Sequence, residues 1–289
     1  MPETISTVNS SFVLRPGISL AEALRSAPLD KLENRILLGH ALQLSRIQLI
    51  TQSERLLSEA ETASLTVLLQ RRLQGEPIAY IVGEREFFGL PLLVTPDVLI
   101  PRPETELLVE LALERLPPGA KALDMGTGSG AIAVAIAHTR ADVSMVALDV
   151  SPAALQVAAA NAERHSAAVE FVCSDWYAAL EQAHTFELIA ANPPYIVAGD
   201  VHLAQGDLRF EPVGALTDHA DGLSALRIIT AGAGHYLKSH GWLLMEHGYD
   251  QAEAVRELLT QQGFTEVQSW QDLAGIARVS GGRRPAKVR

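Results

Sequence analysis

From Lys121 onward, short apolar stretches alternate with longer stretches whose apolar residues repeat at helical spacing. The short stretches have the length of buried strands, and such alternation is typical of a parallel sheet with helices on both faces. The sequence therefore predicts an α/β fold with a doubly wound, mostly parallel sheet of seven strands. The predicted strands are Lys121–Asp124, Val143–Asp149, Val169–Ser174, Phe186–Ala191, Gly241–Glu246, Phe264–Ser269 and Ile276–Ser280. The predicted helices between them are Ala131–His138, Pro152–Arg164, Leu223–Tyr236 and Gln251–Gln262.

The front of the chain has a purely helical pattern. Apolar residues recur there at helical spacing, as Leu20, Ala23 and Leu24 do. We predict a bundle of about four helices over residues 18–75, and we assign residues 1–77 to a small N-terminal helical domain. No constellation of catalytic side chains occurs in this part of the sequence.

Residues 78–97 change to a strand-like pattern. The two stretches Ile78–Phe88 and Leu90–Thr95 are separated by Gly89. Two strand-like stretches around a short glycine-containing turn predict a β-hairpin. We expect this hairpin to link the helical domain to an α/β domain over residues 98–289.

Composition restricts the cellular setting. The chain has 289 residues, of which 48% are apolar, so it can bury a substantial core. No apolar run reaches the roughly 18 residues that span a bilayer, and the first residues lack the pattern of a secretion signal. The single Cys173 excludes an internal disulfide and suits a reducing compartment. We expect a cytoplasmic monomer that does not contact membranes.

A glycine-rich loop follows the first predicted strand of the sheet and opens a helix. Its glycines are Gly126, Gly128 and Gly130, directly after Asp124. Glycines allow the backbone to turn tightly and to approach a ligand closely. The spacing is one residue shorter than the dinucleotide fingerprint. By itself the loop is compatible with a dinucleotide, a nucleoside cofactor or only a tight turn.

Acidic residues also lie at the ends of the next two predicted strands. Asp149 can accept hydrogen bonds from both ribose hydroxyls, or it can cap the helix near Pro152. Asp175 can accept from an adenine amino group, and Trp176 can lie against the base or belong to the core. Acids at the ends of three successive strands, with a glycine loop after the first, suit a cofactor that has adenine and ribose but no pyrophosphate. S-adenosylmethionine is such a cofactor.

The fourth predicted strand of the sheet is followed directly by Asn192-Pro193-Pro194-Tyr195. Two adjacent prolines prevent both strand pairing and helix formation. The result is a rigid turn at the carboxyl end of a strand, where open α/β sheets bind their ligands. Our hypothesis is that this turn holds a planar NH2 group and presents it to an electrophile. Residues 197–222 follow as a long irregular stretch, and loops of this length are usually functional or mobile.

The chain from Lys121 resembles the class I S-adenosylmethionine-dependent methyltransferases. The Asn-Pro-Pro-Tyr turn is similar to the motif of the amino-methyltransferases, and several flanking motifs resemble those of the release-factor glutamine methyltransferases. The resemblance covers residues 33–280. The flanking motifs are Pro77-Ile78-Ala79-Tyr80, Pro101-Arg102-Pro103-Glu104-Thr105-Glu106, Glu211-Pro212, Asp221-Gly222-Leu223, Glu246-His247-Gly248, and Asp272 with Gly275 and Arg278.

The resemblance implies roles for the residues that would bind S-adenosylmethionine. The glycine loop would pack against the methionine part and the ribose, Asp149 would hold the ribose hydroxyls, and Trp176 would border the adenine. Asn192 would lie near the reactive methyl group. The loop residues concerned are Gly126, Thr127, Gly128, Ser129 and Gly130.

The resemblance also implies a substrate and the residues that bind it. The side chain of Asn192 and the carbonyl of Pro193 would accept hydrogen bonds from the substrate NH2 group, with Pro194 in the same turn. Tyr195 would close over the plane of that group. The implied substrate is the glutamine of the Gly-Gly-Gln loop of peptide-chain release factors, methylated on its side-chain nitrogen N5. The helical front resembles the substrate-binding domain of that family less sharply.

Three alternatives remain at this point. The Asn-Pro-Pro-Tyr turn also suits an adenine or cytosine amino-methyltransferase acting on nucleic acid. The net charge of −11 disfavours phosphate binding and so argues against this alternative. The flanking motifs also argue against it. A non-catalytic interaction protein on the same fold is disfavoured by the glycine loop, Asp149 and Asn192. A dehydrogenase is disfavoured by the short glycine spacing. We therefore expect no direct binding of nucleic acid.

Overall fold

The structure, a computed structural model of the chain, describes residues 12–181 and 185–286. The chain divides into two compact units, Met1–Gly83 and Glu84–Arg289. This division lies inside the segment that was predicted to link the domains. Residues 1–11 of the predicted helical domain and residues 287–289 of the α/β domain lie outside the described residues.

In its described part, the first unit contains five helices around an apolar core. Three of them begin at a serine that forms a capping box, as Ser19 does with Glu22, because the side chains satisfy backbone N–H groups at the helix start. The leucines Leu37, Leu38, Leu65 and Leu69 are fully buried in the core. The five helices are α1 (Leu20–Ser26), α2 (Lys31–Leu42), α3 (Arg46–Thr51), α4 (Glu59–Leu73) and α5 (Ile78–Val82).

The prediction of a strand from Ile78 was wrong over its first residues, because α5 is a helix. It starts after Pro77 and ends at Gly83, whose φ of +77° suits a glycine. Three of its five residues are buried, so the stretch has no polar face. A short apolar run of this kind has no periodicity that separates a helix from a strand.

The predicted hairpin is confirmed over a shorter range, within the second unit. Strands β1 (Glu84–Phe87) and β2 (Leu90–Leu93) pair antiparallel. The two residues between them, Phe88 and Gly89, both have positive φ values, 52° and 75°. A two-residue loop with positive φ at both positions matches the right-handed twist of the strands.

The second unit is built on a seven-stranded sheet with the order β5-β4-β3-β6-β7-β9-β8. The first five strands in this order are parallel and the last two pairings are antiparallel, so the prediction of a mostly parallel sheet is confirmed. The strands are β3 (Lys121–Met125), β4 (Ser144–Asp149), β5 (Val169–Cys173), β6 (Phe186–Ala191), β7 (Leu237–Glu246), β8 (Thr265–Gln271) and β9 (Ala277–Arg283). The helices are α6 (Glu106–Arg115), α7 (Ala131–Thr139), α8 (Pro152–Arg164), α9 (Val213–Leu216), α10 (Ser224–Tyr236) and α11 (Ala252–Gln261).

Apolar residues of the central strands alternate between two cores, one on each face of the sheet. Along β3, Ala122 belongs to the core formed with α6 and α7, and Leu123 belongs to the core formed with α10 and α11. Both residues are fully buried. A sheet covered by helices on both faces explains why its strands are continuous apolar runs in the sequence.

The register of the parallel strands aligns their carboxyl ends. One row of paired residues crosses five strands, and it consists of Val172, Leu148, Met125, Ala191 and Met245. The residues that follow this row along the chain are Cys173, Asp149, Gly126, Asn192 and Glu246. Backbone pairing therefore brings one glycine and three polar side chains from distant parts of the sequence to a single edge. The order of the strands reverses between β3 and β6, which makes this edge a topological switch point.

The long stretch 197–222 is less irregular than predicted. It contains α9 and two short 3₁₀ turns, Val201–Ala204 and Leu208–Phe210. The buried side chain of Glu211 accepts a hydrogen bond from the backbone of Ile100 at 3.0 Å and another from Arg102. Single helical turns are too short to give a periodic pattern, so the sequence could not reveal them. No helix among the described residues is long and apolar enough to cross a membrane.

We predict that Gly130→Ala lowers the free energy of unfolding by about 2–4 kcal/mol, as measured by urea denaturation. Gly130 has a φ of +81°, and an added Cβ would lie 3.0 Å from the Cβ atom of Ala158 on α8. Gly234→Ala on α10 is the matched control, because an added Cβ meets nothing within 4 Å there. That control should gain up to about 1 kcal/mol from helix propensity. Equal stability of the two variants would contradict this account of the loop.

Candidate active site

A cleft of about 260 Å³ lies at the carboxyl edge of the sheet, beside the loops that follow β3, β4, β5 and β6. Most of the predicted cofactor residues lie on its wall. These are Gly126, Thr127, Gly128, Ser129, Asp149, Trp176 and Asn192. Asp175, which was also considered as an adenine partner, lines the cleft too. Four predicted site residues are described but lie off this wall, namely Gly130, Pro193, Pro194 and Tyr195.

The glycine loop turns through three left-handed residues. Gly126, Gly128 and Gly130 have φ values of +74°, +55° and +81°. The backbone N–H groups of Gly126 and Thr127 both donate to the carbonyl of Leu148, at 2.9 and 2.8 Å, which ties the loop to the end of β4. Gly130 is the N-cap of α7 and packs against α8, so the structure gives it a packing role behind the cleft.

Asp149 is half-buried and holds the loops on both sides of it. Its Oδ2 accepts from the backbone N–H of Gly128 at 2.9 Å, and its Oδ1 accepts from that of Ser151 at 2.9 Å. The cap of α8 is made by Ser151, whose hydroxyl accepts from Ala154 at 3.2 Å. The alternative role of Asp149 as the helix cap is therefore filled by another residue. Each carboxylate oxygen retains a lone pair for a ligand.

Trp176 lies half-buried along the glycine loop in a strained conformation. Its φ is +48°, which is costly for a bulky residue. The hydroxyl of Ser174 donates to the Trp176 carbonyl at 2.7 Å and holds this turn. A Cβ atom on Gly126 would lie 3.9 Å from Cζ3 of the indole, so the ring lies close to the backbone of the glycine loop.

Asp124 is fully buried beneath the loop. The hydroxyl of Thr127 donates to its Oδ2 at 2.6 Å, while its Oδ1 has no hydrogen-bond partner among the described residues. Burial, with a smaller contribution from the charge of Asp149, raises the pKa of Asp124 to about 7. The Thr127 contact links this acid to the loop that lines the cleft.

The Asn-Pro-Pro-Tyr turn is held by side chains from other loops. The Nδ2 of Asn192 donates to the hydroxyl of Thr105 at 3.2 Å. The Nε2 of Gln251 donates to the carbonyl of Tyr195 at 3.0 Å and to that of Gly222 at 3.2 Å. The hydroxyl of Tyr195 donates to Oε1 of Glu246 at 3.2 Å. Since prolines cannot donate to a ladder, these contacts replace sheet pairing.

Tyr195 faces a second depression, which we call the open basin. Burial and the nearby charge of Glu246 raise the pKa of the Tyr195 hydroxyl above its ordinary value, so it stays protonated. Arg102 lines both the cleft and the open basin. The charged and aromatic residues of the open basin include Arg102, Glu104, Tyr195, His202, Glu246 and Arg278.

Two polar residues of this region had no role in the sequence analysis. Thr105 and Glu246 are 4% and 1% exposed, and both belong to motifs that were quoted only for their resemblance. Thr105 lies in the proline-rich segment, and Glu246 is the last residue of β7, a strand that could be predicted. Their sequence spacing gives no sign that they lie together beside Asn192, because that depends on the packing of the proline-rich turn against the sheet.

The cleft fits an adenosyl cofactor by its own chemistry. Its wall combines glycine backbone, the acids Asp149 and Asp175, and the indole of Trp176. Among the described residues of this wall, Arg102 is the one basic side chain, and its guanidinium donates to Glu211. The wall thus has acceptors for ribose and an aromatic face for a base, and its carboxylates favour a cationic ligand.

Fold and site together define the class of protein. A switch-point cleft with this glycine loop, on a sheet of this order, is that of a class I S-adenosylmethionine-dependent methyltransferase. A solved methyltransferase from Pyrococcus furiosus has a similar fold, with 20% identity and a TM-score of 0.53, over 74% of this chain and 96% of that one. The family described as "Methyltransferase small domain" matches residues 103–207, and the family described as "PrmC N-terminal domain" matches residues 19–83.

Curated relatives identify the family. A release factor glutamine methyltransferase of Burkholderia pseudomallei is 55% identical to the chain, over 92% of this chain and 96% of its own length. A release factor glutamine methyltransferase of Bordetella pertussis is 52% identical, over 91% and 98%. The chain belongs to the family of release factor glutamine methyltransferases. It is an enzyme whose cofactor is S-adenosylmethionine, and the dehydrogenase and non-catalytic alternatives are excluded.

We predict that Asp149→Ala weakens the binding of S-adenosylmethionine at least about tenfold, since each hydrogen bond to a charged acceptor contributes about 1.5–3 kcal/mol. The substitution also frees the backbone N–H of Gly128, which loosens the glycine loop. Isothermal titration calorimetry measures the dissociation constant directly. The control is Glu163→Ala, which removes an equal charge from the exposed side of α8. An affinity unchanged in Asp149→Ala would leave this carboxylate with a purely structural role.

Proposed function

We propose that this enzyme transfers a methyl group from S-adenosylmethionine to the side-chain nitrogen N5 of the glutamine in the Gly-Gly-Gln loop of peptide-chain release factors. The proposal rests on the amide of Asn192, which lies on the wall of the cleft with its Nδ2 end bound to Thr105. That contact leaves the Oδ1 end as an acceptor for the hydrogens of another amide.

A carboxamide nitrogen is a weak nucleophile because its lone pair is delocalised into the carbonyl group. Acceptors aimed at its two hydrogens draw electron density towards the nitrogen and fix the plane of the group. In this chain the acceptors are Oδ1 of Asn192 and the carbonyl of Pro193, a buried proline whose ring restricts the backbone. The ring of Tyr195 limits the orientations of the amide plane. Correct positioning contributes much of the rate in reactions of this type.

The cofactor would be held by the residues of the cleft. The backbone from Gly126 to Ser129 would pack against its methionine part and ribose, the carboxylate of Asp149 would bind the ribose hydroxyls, and Trp176 would border the adenine. When bound, S-adenosylmethionine supplies an electrophilic methyl group on a positively charged sulfur. The carboxylates of the cleft favour that positive charge.

The reaction does not require a strong base among these residues. Tyr195 is unsuited to be one, because its pKa is raised and its hydroxyl donates to Glu246. Directly after the transfer, the methylated amide nitrogen is far more acidic than the nitrogen of the substrate amide. It can lose its proton to water after the transfer. The residues of the turn therefore act by orientation and polarisation.

The remaining expectations concern the protein partner, the cellular compartment and the oligomeric state of the enzyme. We propose that the helical unit contacts the release factor, and that the enzyme works as a cytoplasmic monomer without binding nucleic acid directly. The net charge of −11 supports the last point, because an acidic protein is repelled by phosphate backbones. Sedimentation of the free enzyme, alone and with the release factor, tests the proposed monomer.

The test of the proposed function uses cofactor labelled in its methyl group. The enzyme is incubated with an unmethylated release factor in one reaction and with DNA or RNA in another. We expect label on the release factor, and we expect it to disappear when the glutamine of the Gly-Gly-Gln loop is replaced by alanine. Label on nucleic acid without label on the factor would show that the turn serves a base amino group, and would overturn the proposal.

A further inference from the structure

The backbone of the Asn-Pro-Pro-Tyr turn can be fixed only at its two ends. Pro193 and Pro194 have no N–H group to donate, and the carbonyl of Pro193 has to stay free if it is to accept from a substrate. Sheet pairing of Ala191 fixes the first end, directly before Asn192. Whatever fixes the second end, at Tyr195, therefore determines where the rest of the turn lies.

The side chain of Gln251 holds the second end. Its Nε2 donates to the carbonyl of Tyr195 at 3.0 Å and to the carbonyl of Gly222 at 3.2 Å. Its Oε1 accepts from the backbone N–H of Gly248 at 2.8 Å. One amide thus uses both its hydrogens and its oxygen to join three loops, which follow β6, precede α10 and follow β7.

The surroundings of Gln251 admit one orientation of its amide. With oxygen and nitrogen exchanged, the oxygen would face two carbonyls and the NH2 group would face the N–H of Gly248, so each contact would repel. The residue itself is fixed by α11, because its backbone carbonyl accepts from the N–H of Val255 at 3.0 Å. Val255 and Leu259 of that helix are fully buried in the core.

The carbonyl of Tyr195 is also packed closely from the side of Gly222. Gly222 has a φ of +76°, and an added Cβ there would overlap the Tyr195 carbonyl oxygen and lie 2.8 Å from Nε2 of Gln251. On the other side of the same peptide group, the N–H of Ile196 donates to the carbonyl of Leu216 at 3.0 Å. The peptide that ends the turn is therefore held at both its oxygen and its nitrogen.

The same amide closes the base of the segment that leaves the turn. Residues 196–221 lie between the two carbonyls that Gln251 binds. This segment supplies part of the wall of the open basin. Gln251 therefore fixes the base of that wall together with the turn. The basin residues of the segment are His202, Gln205, Gly206, Asp207 and Leu208.

We propose that Gln251 is a positioning residue for the methyl-transfer reaction. By holding the carbonyls of Tyr195 and Gly222, it fixes the Pro193 carbonyl and the Tyr195 ring relative to the cofactor cleft. The inference rests on the proposed function, because these two groups are expected to bind the substrate amide. Gln251 lines neither the cleft nor the open basin, so it acts through the turn and not by contact with cofactor or substrate.

Loss of this contact should affect the transfer step more than cofactor binding. Asn192 is the residue of the turn that lies on the wall of the cleft, and it is held separately by β6 and by Thr105. Release of the Tyr195 carbonyl should therefore displace Pro193 and Tyr195 while Asn192 stays in place. Small displacements of groups that orient a reacting atom can cost up to about 100-fold in rate.

The experiment compares Gln251→Glu, Gln251→Met and Gln261→Glu with the wild-type enzyme. Gln251→Glu keeps the acceptor for Gly248 and loses both donors, whereas Gln251→Met removes every polar contact. Gln261→Glu is the matched control, because it makes the same change at the exposed end of α11. With saturating release factor and cofactor near pH 8, we expect both Gln251 variants to lower kcat about tenfold or more and the control to keep the wild-type kcat.

Two measurements separate positioning from folding. Isothermal titration calorimetry should give a dissociation constant for S-adenosylmethionine within about threefold of the wild type in all variants. The kcat values are compared at a temperature at which circular dichroism shows every variant fully folded. A variant that is only destabilised would have the wild-type kcat there, whereas a displaced turn stays slow.

A pH profile tests whether the donors of Gln251 are what the turn requires. The carboxyl introduced by Gln251→Glu faces two carbonyl oxygens and lies near Asp250, which packs against Gly248 from the same side. These neighbours disfavour its charge and raise its pKa. Once protonated, it can again donate to the carbonyl of Tyr195. The kcat of Gln251→Glu relative to wild type should therefore rise from about pH 8 to about pH 6, and that of Gln251→Met should not.

Other titrating groups near the site do not obscure this ratio. His247 binds the carbonyl of Gly248 through Nδ1, and burial lowers its pKa, so it stays neutral. Burial raises the pKa of Glu246, the partner of the Tyr195 hydroxyl, to about 7. That carboxyl is present in the wild type and in both variants, so the ratio of the rates removes its contribution.

Each outcome decides the matter. Wild-type kcat in both Gln251 variants would overturn the positioning role, and so would a relative rate of Gln251→Glu that is constant with pH. A loss of kcat that is matched by the loss of cofactor affinity, or that vanishes where the variants are fully folded, would assign Gln251 a structural role instead. A wild-type enzyme that methylates no release factor would overturn the proposed function, and the inference with it.

Discussion

The parallel register of the central strands is the constraint on which the site depends. Pairing of Leu148, Met125, Ala191 and Met245 in one row fixes the level at which each strand ends. The next residues then include an acid, a glycine, an amide and a second acid, supplied by four strands. A shift of one residue in any strand would turn its side chains to the other face of the sheet. Burial of both faces opposes such a shift, because the apolar residues of each strand are divided between two cores.

Beyond the sheet edge, side-chain hydrogen bonds hold the loops, which backbone pairing between strands does not reach. Gln251 holds the Asn-Pro-Pro-Tyr turn through the carbonyl of Tyr195, and Glu211 holds the proline-rich segment through the backbone of Ile100. Asn161, fully buried on α8, binds both the N–H and the carbonyl of Leu93 and the carbonyl of Ser129. Each such bond contributes only about 0.5–1.5 kcal/mol to stability. Their larger effect is to restrict loops that would otherwise sample many conformations.

Much of the α/β unit could be predicted from the sequence because its elements are long or bounded clearly. Phe186–Ala191 and Pro152–Arg164 have the predicted bounds, one ended by the Asn-Pro-Pro-Tyr turn and the other started by Ser151 and Pro152. The helix Ile78–Val82 was missed because a short apolar run has no distinguishing period. The conformation of 197–222 was missed because its turns are set by local caps, such as Asp200 on His202.

The sequence predicted which loops carry the site residues, but it predicted fewer of the contacts between those residues. The positions of Asp149 and Asn192 follow from strand ends, which the sequence marks. The packing role of Gly130 depends on the approach of α8, and the hydrogen bond from Asn192 to Thr105 depends on the packing of the proline-rich turn. Neither relation has a fixed spacing along the sequence. Residue types at strand ends can therefore indicate the chemistry, while their mutual orientation requires the structure.

The central claim is that this edge of the sheet orients a planar amide nitrogen for methylation. Tandem mass spectrometry of a release factor after incubation with the enzyme and S-adenosylmethionine tests it most directly, since fragmentation locates the methyl group on a single side chain. We expect one methyl group, on the side-chain nitrogen of the glutamine in the Gly-Gly-Gln loop. A methyl group on a carboxylate, an amine or any other side chain of the factor would contradict the account.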